Sequence, residues 1–109
     1  MSRDEIPPGT LYMLILRTLD RDRELHGFEI AKSIERLSEE VLQVEEGSLY
    51  PALQRMLLKG WVTAKWGQTA ENRRARYYRL TASGRKQLEI EVSQFERVMA
   101  AIRRVVQTA

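Results

Sequence analysis

The residues able to do chemistry are few here, and their spacing points away from catalysis. The 109-residue chain has no cysteine and a single histidine, which removes a thiol nucleophile, a disulfide framework and any cysteine-based metal site. His26 has no second histidine to pair with and stands beside Gly27, where a helix would begin. A capping or packing role suits it better than metal ligation. No P-loop and no paired Gly-rich turn is present, and the carboxylates fall mainly on helix faces and turns, where solvated charge is the default. No catalytic residue, metal or cofactor is therefore expected.

What the sequence does concentrate is positive charge. Residues 1–58 carry seven Lys/Arg against eleven Asp/Glu, and residues 87–109 balance at three against three. Between them, residues 59–86 hold Lys59, Lys65, Arg73, Arg74, Arg76, Arg79, Arg85 and Lys86 against Glu71 alone, a net of +7. That is the electrostatic footprint of a surface for a polyanion, with an ordinary solvated surface as the alternative.

The elements that must position these charges are readable from periodicity. Glu46 to Gly60 forms the organising stretch. Leu49, Leu53, Met56 and Leu57 recur at helical spacing, while Ser48, Pro51, Gln54, Arg55 and Lys59 fall on the other side. Pro51 is expected about one turn inside the start, where its missing N–H is an orphan anyway, and Gly60 is placed to end the helix. Upstream, residues 1–9 read as an irregular arm. Thr10 is a candidate N-cap for an almost wholly apolar run from Leu11 to Leu19, too short for a membrane span and expected to be a central core or interface helix. Asp20–Glu24 reads as a charged turn, Leu25–Leu37 as an amphipathic helix, and Leu42 and Val44 as part of a brief strand.

After Gly60 the period changes to two. Trp61–Trp66 and Ala75–Leu80 read as two strands of a hairpin, joined by a polar, basic loop. Tyr77 and Tyr78 must then face opposite ways, so at least one belongs to the core. Thr81 caps a last helix over 82–107, with Leu88, Val92, Phe95, Met99, Ile102 and Val106 spaced four, three, four, three, four. Such a seam, on a helix of about 39 Å, is too long for this small domain to bury alone. Pairing with a second copy is the reading, and folding back on the first helix accounts for the N-terminal half only.

The fold class is mainly α with a small β-hairpin: an N-terminal arm over 1–9, a winged helix-turn-helix over 10–81, and a long C-terminal dimerisation helix over 82–109. No apolar run approaches the ~20 residues that cross a bilayer, and the N-terminus lacks a signal-peptide pattern, so a cytoplasmic protein without membrane contact is expected.

Four ordered blocks carry a family resemblance: His26-Gly27-Phe28-Glu29-Ile30, Gly47-Ser48-Leu49-Tyr50-Pro51-Ala52-Leu53, Gly60-Trp61-Val62, and Arg76 through Gly84. As a set they resemble PadR-family transcriptional regulators, and the single short C-terminal helix resembles the small subfamily. The resemblance implies a bacterial homodimer that binds a palindromic operator in double-stranded DNA, usually as a repressor, and is released by phenolic acids or hydrophobic drugs in characterised members. It implies Ser48, Tyr50 and Pro51 as early DNA contacts, with Gln54 and Arg55 reaching bases or backbone. Lys59 and Lys65 would meet phosphates, and Arg73, Arg74 and Arg76 would touch backbone or a minor groove. The dimer interface would comprise Leu11 with the six seam residues. Phe95 stands where small multidrug-binding members place a tryptophan, so Phe95, Met99, Tyr12 and Ile15 would line a small hydrophobic ligand's site, Phe95 as an ordinary seam residue being the alternative. A winged helix used only for protein contact is the competing function, and it leaves the +7 segment unexplained.

Overall fold

A computed structural model describes residues 4–108. Its elements run β1 (Asp4–Glu5), α1 (Leu11–Asp22), β2 (Glu24–His26), α2 (Gly27–Leu37), β3 (Leu42–Gln43), α3 (Glu46–Leu58), β4 (Val62–Gln68), β5 (Arg74–Leu80) and α4 (Ala82–Gln107). Helices α2 and α3, followed by the β4–β5 hairpin, form the winged helix-turn-helix; the ends of the expected arm and of the last segment (1–3 and 109) lie outside the described residues.

α1 is the centre of the molecule because it is apolar on nearly every face. Ile15, Leu16 and Leu19 are buried, and α1 packs against α2, α3, α4 and β5. Its one buried hydroxyl, on Thr18, donates to the Leu14 carbonyl at 2.7 Å and so carries no unmet polar group inward. α3 adds Leu49, Ala52, Leu53 and Met56 to the same core, each at 1% exposure or less. The burial of the three larger side chains, worth about 1.5–3 kcal/mol each, clamps that face of the helix to the body. The C-terminus of α3 closes as the position of Gly60 predicts. Gly60 takes φ +76°, its N–H donates to the Leu57 carbonyl, and the Trp61 N–H donates to the Met56 carbonyl, the paired bonds of a Schellman motif.

The cap at α2 comes from His26. Its Nδ1 accepts from the Glu29 N–H at 3.3 Å, and the Glu29 carboxylate accepts from the His26 N–H at 3.1 Å, a reciprocal capping box. Thr81 caps α4, accepting from the Gly84 N–H at 2.9 Å.

Several expectations are corrected. Thr10 makes no side-chain cap; its hydroxyl donates to the Pro7 carbonyl instead. The charged residues after Leu19 extend α1 to Asp22, and the turn is made by Arg23 in the left-handed region at φ 58°. Leu25 and His26 leave the helix and form β2, which pairs with β5, so the wing is a three-stranded antiparallel sheet of order β2-β5-β4. The arm is not wholly irregular: Asp4 and Glu5 pair in parallel with Leu42 and Gln43. These short strands lack the run of alternation that periodicity needs, and tertiary pairing decides them.

α4 extends beyond the body. Leu88 is buried and Val92 packs against the core, whereas Phe95, Val98, Ile102, Val105 and Val106 are exposed. The Cα radius of gyration of 15.2 Å, with a long axis of 57 Å, exceeds the roughly 13 Å of a compact chain of this length. The uncovered half of α4 accounts for the difference.

Candidate nucleic-acid interface

The buried stripe of α3 determines what its other face can present. At 3.6 residues per turn, the direction opposite Leu49, Ala52, Leu53 and Met56 is held by Gly47, Pro51, Gln54 and Leu58, all exposed. Pro51 is the sixth residue of the helix, about one turn inside as expected but past the first four amides, so its missing N–H is not an orphan. It removes the amide that would bond the Gly47 carbonyl, on the side where water can serve that group. Tyr50 flanks this face on the side of α2. Its ring lies so close to Gly27 that a Cβ there would stand 2.7 Å from it. Ser48, Arg55 and Lys59 fall on the opposite flank. There the structure differs from the expected free cations. The Arg55 Nε donates to the Tyr12 hydroxyl with its guanidinium 5.6 Å from that ring, and the Lys59 ammonium lies 5.2 Å from the centre of the Trp61 ring. Both cations lean back on the body, because aromatic rings of α1 and the β4 entrance are within their reach.

The wing divides its charges by face. In the β4–β5 register, Thr63 opposes Arg79 and Lys65 opposes Tyr77, while Trp66 opposes Arg76 and Gln68 opposes Arg74. Alternation therefore sends Lys65 and Arg79 to one face, and Trp66, Arg74, Arg76 and Tyr78 to the other. On the first face Glu24 of β2 lies 3.4 Å from the Lys65 ammonium and 4.0 Å from Arg79. Lys65, expected to meet a phosphate, therefore stands on the face opposite Arg74 and Arg76. On the second face, among the described residues, no carboxylate pairs with Arg73, Arg74 or Arg76. Arg73 sits at the tip, where the Thr69 N–H donates to the Arg73 carbonyl, the Arg73 N–H donates to the Thr69 hydroxyl, and Asn72 turns the chain at φ 66°.

Between that second face and α3 runs a groove of about 830 Å³, floored by Tyr78 and Arg76 and walled by Tyr50, Gln54, Trp66 and Phe28. Its rings are unusually open: Trp66 is 57% exposed and Phe28 59%. Burial pushes the Tyr78 phenol above its usual value of 10.0; the Arg76 charge opposes that shift and Tyr50 adds to it. Sequence reasoning missed Trp66, Phe28 and Gly27 as parts of this site. The register signal for Trp66 was available, since period-two pairing puts it opposite Arg76.

The remaining expected residues fall in three groups. Leu11 and Tyr12 are half-buried on α1, and Met99 is half-buried on α4. Ile15 is wholly buried inside its own protomer and cannot line a cavity between two, and Leu88 is likewise 6% exposed in the same core. Phe95, Ile102 and Val106 remain open at 40%, 48% and 75%.

Residues 15–90 match the model of the transcriptional regulator PadR-like family. The chain belongs to that family: it is a DNA-binding transcriptional regulator, of a class that is not enzymatic and whose members typically dimerise. It is similar to a transcriptional regulator from Clostridium thermocellum (27% identity, 91% of this chain and 95% of that one, TM-score 0.82). It is also similar to a PadR family regulator from Eggerthella lenta (26% identity, 93% and 85%, TM-score 0.76). An uncharacterised protein of Lysinibacillus sphaericus is 32% identical over 94% of this chain and 93% of its own length. No helix among the described residues is long and apolar enough to cross a membrane.

Proposed function

We propose that the protein is a cytoplasmic, homodimeric repressor that binds a palindromic operator. One observation carries the reading: among the described residues, Arg74 and Arg76 on the wing face turned toward α3, and Arg73 at its tip, have no carboxylate partner, whereas on the other face Glu24 pairs with Lys65 and Arg79. α3 would enter the major groove with Gly47, Pro51 and Gln54 foremost, flanked by Ser48 and Tyr50, while Arg73, Arg74 and Arg76 hold the backbone. Arg55 and Lys59, resting on Tyr12 and Trp61, lie beside this path and supply positive potential rather than base contacts. Gln54 is suited to adenine, as a bidentate amide.

The exposed seam residues Phe95, Ile102 and Val106, with Met99, support pairing of α4 with its counterpart in a second protomer. Two copies would present two α3 helices about 34–36 Å apart, one turn of DNA. A small hydrophobic effector would bind at this seam, bordered by Phe95, Met99 and Tyr12, and would release the operator by changing the separation of the two helices. A mobility-shift assay on DNA from upstream of the protein's own gene tests the reading. A salt-sensitive shift, outcompeted far better by the same DNA than by unrelated duplex, is expected. Equal competition by both would overturn the operator-binding role.

A further inference from the structure

The groove floor holds a feature that general positive charge does not require. Arg76 is half-buried, its Nε is buried without a hydrogen-bond partner, and its guanidinium lies 5.7 Å from the Trp66 ring centre and 6.0 Å from that of Tyr78. Arg74 lies over the same Trp66 ring at 4.5 Å. A partly desolvated guanidinium is costly unless an anion meets it. Among the described residues no carboxylate pairs with it, although Glu71 lies on the rim of the same groove. On the other face of the same hairpin one glutamate serves two cations. Trp66, in turn, is a large ring left 57% exposed. Its surface is used by the two guanidiniums, which hold it from one strand while it orients them from the other.

We infer that Arg76, held between Trp66 and Tyr78, is a preformed site for one phosphodiester of duplex DNA, and that Trp66 is a positioning residue for it. The inference rests on the DNA-binding reading above and adds a division of labour within the wing. Arg76 is held by two rings before DNA arrives, whereas among the described residues no ring holds Arg73 at the tip. Arg74 and Arg76 share a face two residues apart, about 6.6 Å along the strand, close to the spacing of successive phosphates on one DNA strand. A guanidinium suits this place better than an ammonium, because it is planar, stacks on rings and keeps a fixed fork of donors. Free phosphate offers the same oxygens but lacks the neighbouring phosphates that engage Arg74 and Arg73, so the duplex backbone is the ligand.

The test compares operator and unrelated duplex binding across a salt series for wild type, Trp66→Ala, Trp66→Phe, Arg76→Ala and Arg76→Lys. Trp66→Ala keeps every charge, so its slope of log affinity against log salt is expected to equal that of wild type. Its affinity should fall about tenfold for both DNAs, with Trp66→Phe recovering most of the loss. Arg76→Ala should lower the slope by about 0.9 per protomer. Arg76→Lys should keep the slope and lose affinity as Trp66→Ala does. Unchanged affinity in Trp66→Ala, or a loss confined to operator, would overturn the inference, because the ring would then position nothing or would read sequence. A slope falling in Trp66→Ala as it does in Arg76→Ala would overturn it too. Because Trp66 is mostly exposed, its removal leaves the core intact, and an unshifted melting curve checks this. Inorganic phosphate at matched ionic strength should leave the Trp66 fluorescence, read as the difference from Trp66→Phe, unaltered. Saturation by phosphate alone would show a free-anion site instead. Absence of any salt-sensitive DNA binding in wild type would defeat the parent reading and is distinct from all of these outcomes.

Discussion

Replacing Gly84 by alanine separates two effects that differ in sign. Gly84 lies in the first turn of α4, where alanine alone would favour helix by about 1 kcal/mol. In the fold, however, a Cβ at this position would stand 2.0 Å from the Trp61 carbonyl oxygen and 2.8 Å from Leu80 Cδ1. Ordinary contact begins near 3.4 Å, so helix and strand must separate by about 1.4 Å. That movement strains the two bonds that dock α4, Thr81 N–H to the Trp61 carbonyl at 3.0 Å and the Thr81 hydroxyl to the Gly60 carbonyl at 2.6 Å, and with them the helix's own cap, Gly84 N–H to the Thr81 hydroxyl at 2.9 Å. Overpacking costs about 1–3 kcal/mol, and each weakened bond about 0.5–1.5 kcal/mol. Steric cost outweighs propensity, leaving a net loss of about 2–4 kcal/mol, a large share of the ~5–15 kcal/mol that holds a typical domain. In urea denaturation at fixed protomer concentration, the midpoint should fall by roughly 1–2 M. The exposed neighbour Ser83→Ala should leave it nearly unchanged. A midpoint for Gly84→Ala equal to or above that of wild type would refute the reasoning, since that is what helix propensity alone gives.

Ile102→Glu combined with Val106→Glu should yield a monomer by sedimentation with its helical circular dichroism retained, because both positions lie on the uncovered half of α4; a persistent dimer would remove that half from the interface. Gly27→Ala should displace the Tyr50 ring and weaken DNA binding about tenfold, near 1.4 kcal/mol, with little change in the urea midpoint, because the blocking atoms belong to a side chain that can swing away. Lys65→Ala should leave the affinity within about twofold of wild type, since the side chain is 65% exposed on the face opposite the groove and its pair with Glu24 is a surface one. Tyr78 should contribute to stability in its neutral form: because the fold raises its pKa above 10.0, that contribution is fully present below about pH 10 and is lost as the pH climbs through the raised value. Tyr78→Phe should reduce the alkaline loss of stability, and an identical alkaline profile would argue against burial of the phenol.

How much of this was legible in the sequence depended on the range of the forces involved. α1, α3 and α4 were legible because each carries a long apolar pattern that survives in any tertiary setting. The ends set by hydrogen-bonding side chains were mixed. Thr81 and Gly60 act as their types suggest, whereas Thr10 gives its hydroxyl to the Pro7 carbonyl. The strand at Glu24–His26 was hidden because three residues show no period, and β5 recruits them from 51 to 55 positions away in the chain. The candidate site was legible as a list of cations but not as an arrangement. Charge counting treats Lys65 and Arg76 alike; only the strand register puts them on opposite faces, one beside Glu24 and one beside Trp66. Arg55 shows the same limit, since the ring it rests on lies 43 residues earlier.

The central claim is that the face of the wing turned toward α3 is what DNA meets. Its most direct test is the salt dependence of operator binding for wild type and for Arg73→Ala/Arg74→Ala/Arg76→Ala. Each arginine that neutralises a phosphate contributes about 0.9 to the slope of log affinity against log salt. The triple variant should therefore lose roughly 2.7 from the slope per protomer, and about twice that for a dimer on its operator, while remaining folded. A variant that binds more weakly but keeps the wild-type slope would contradict the account, because those three charges would then be facing water rather than phosphate.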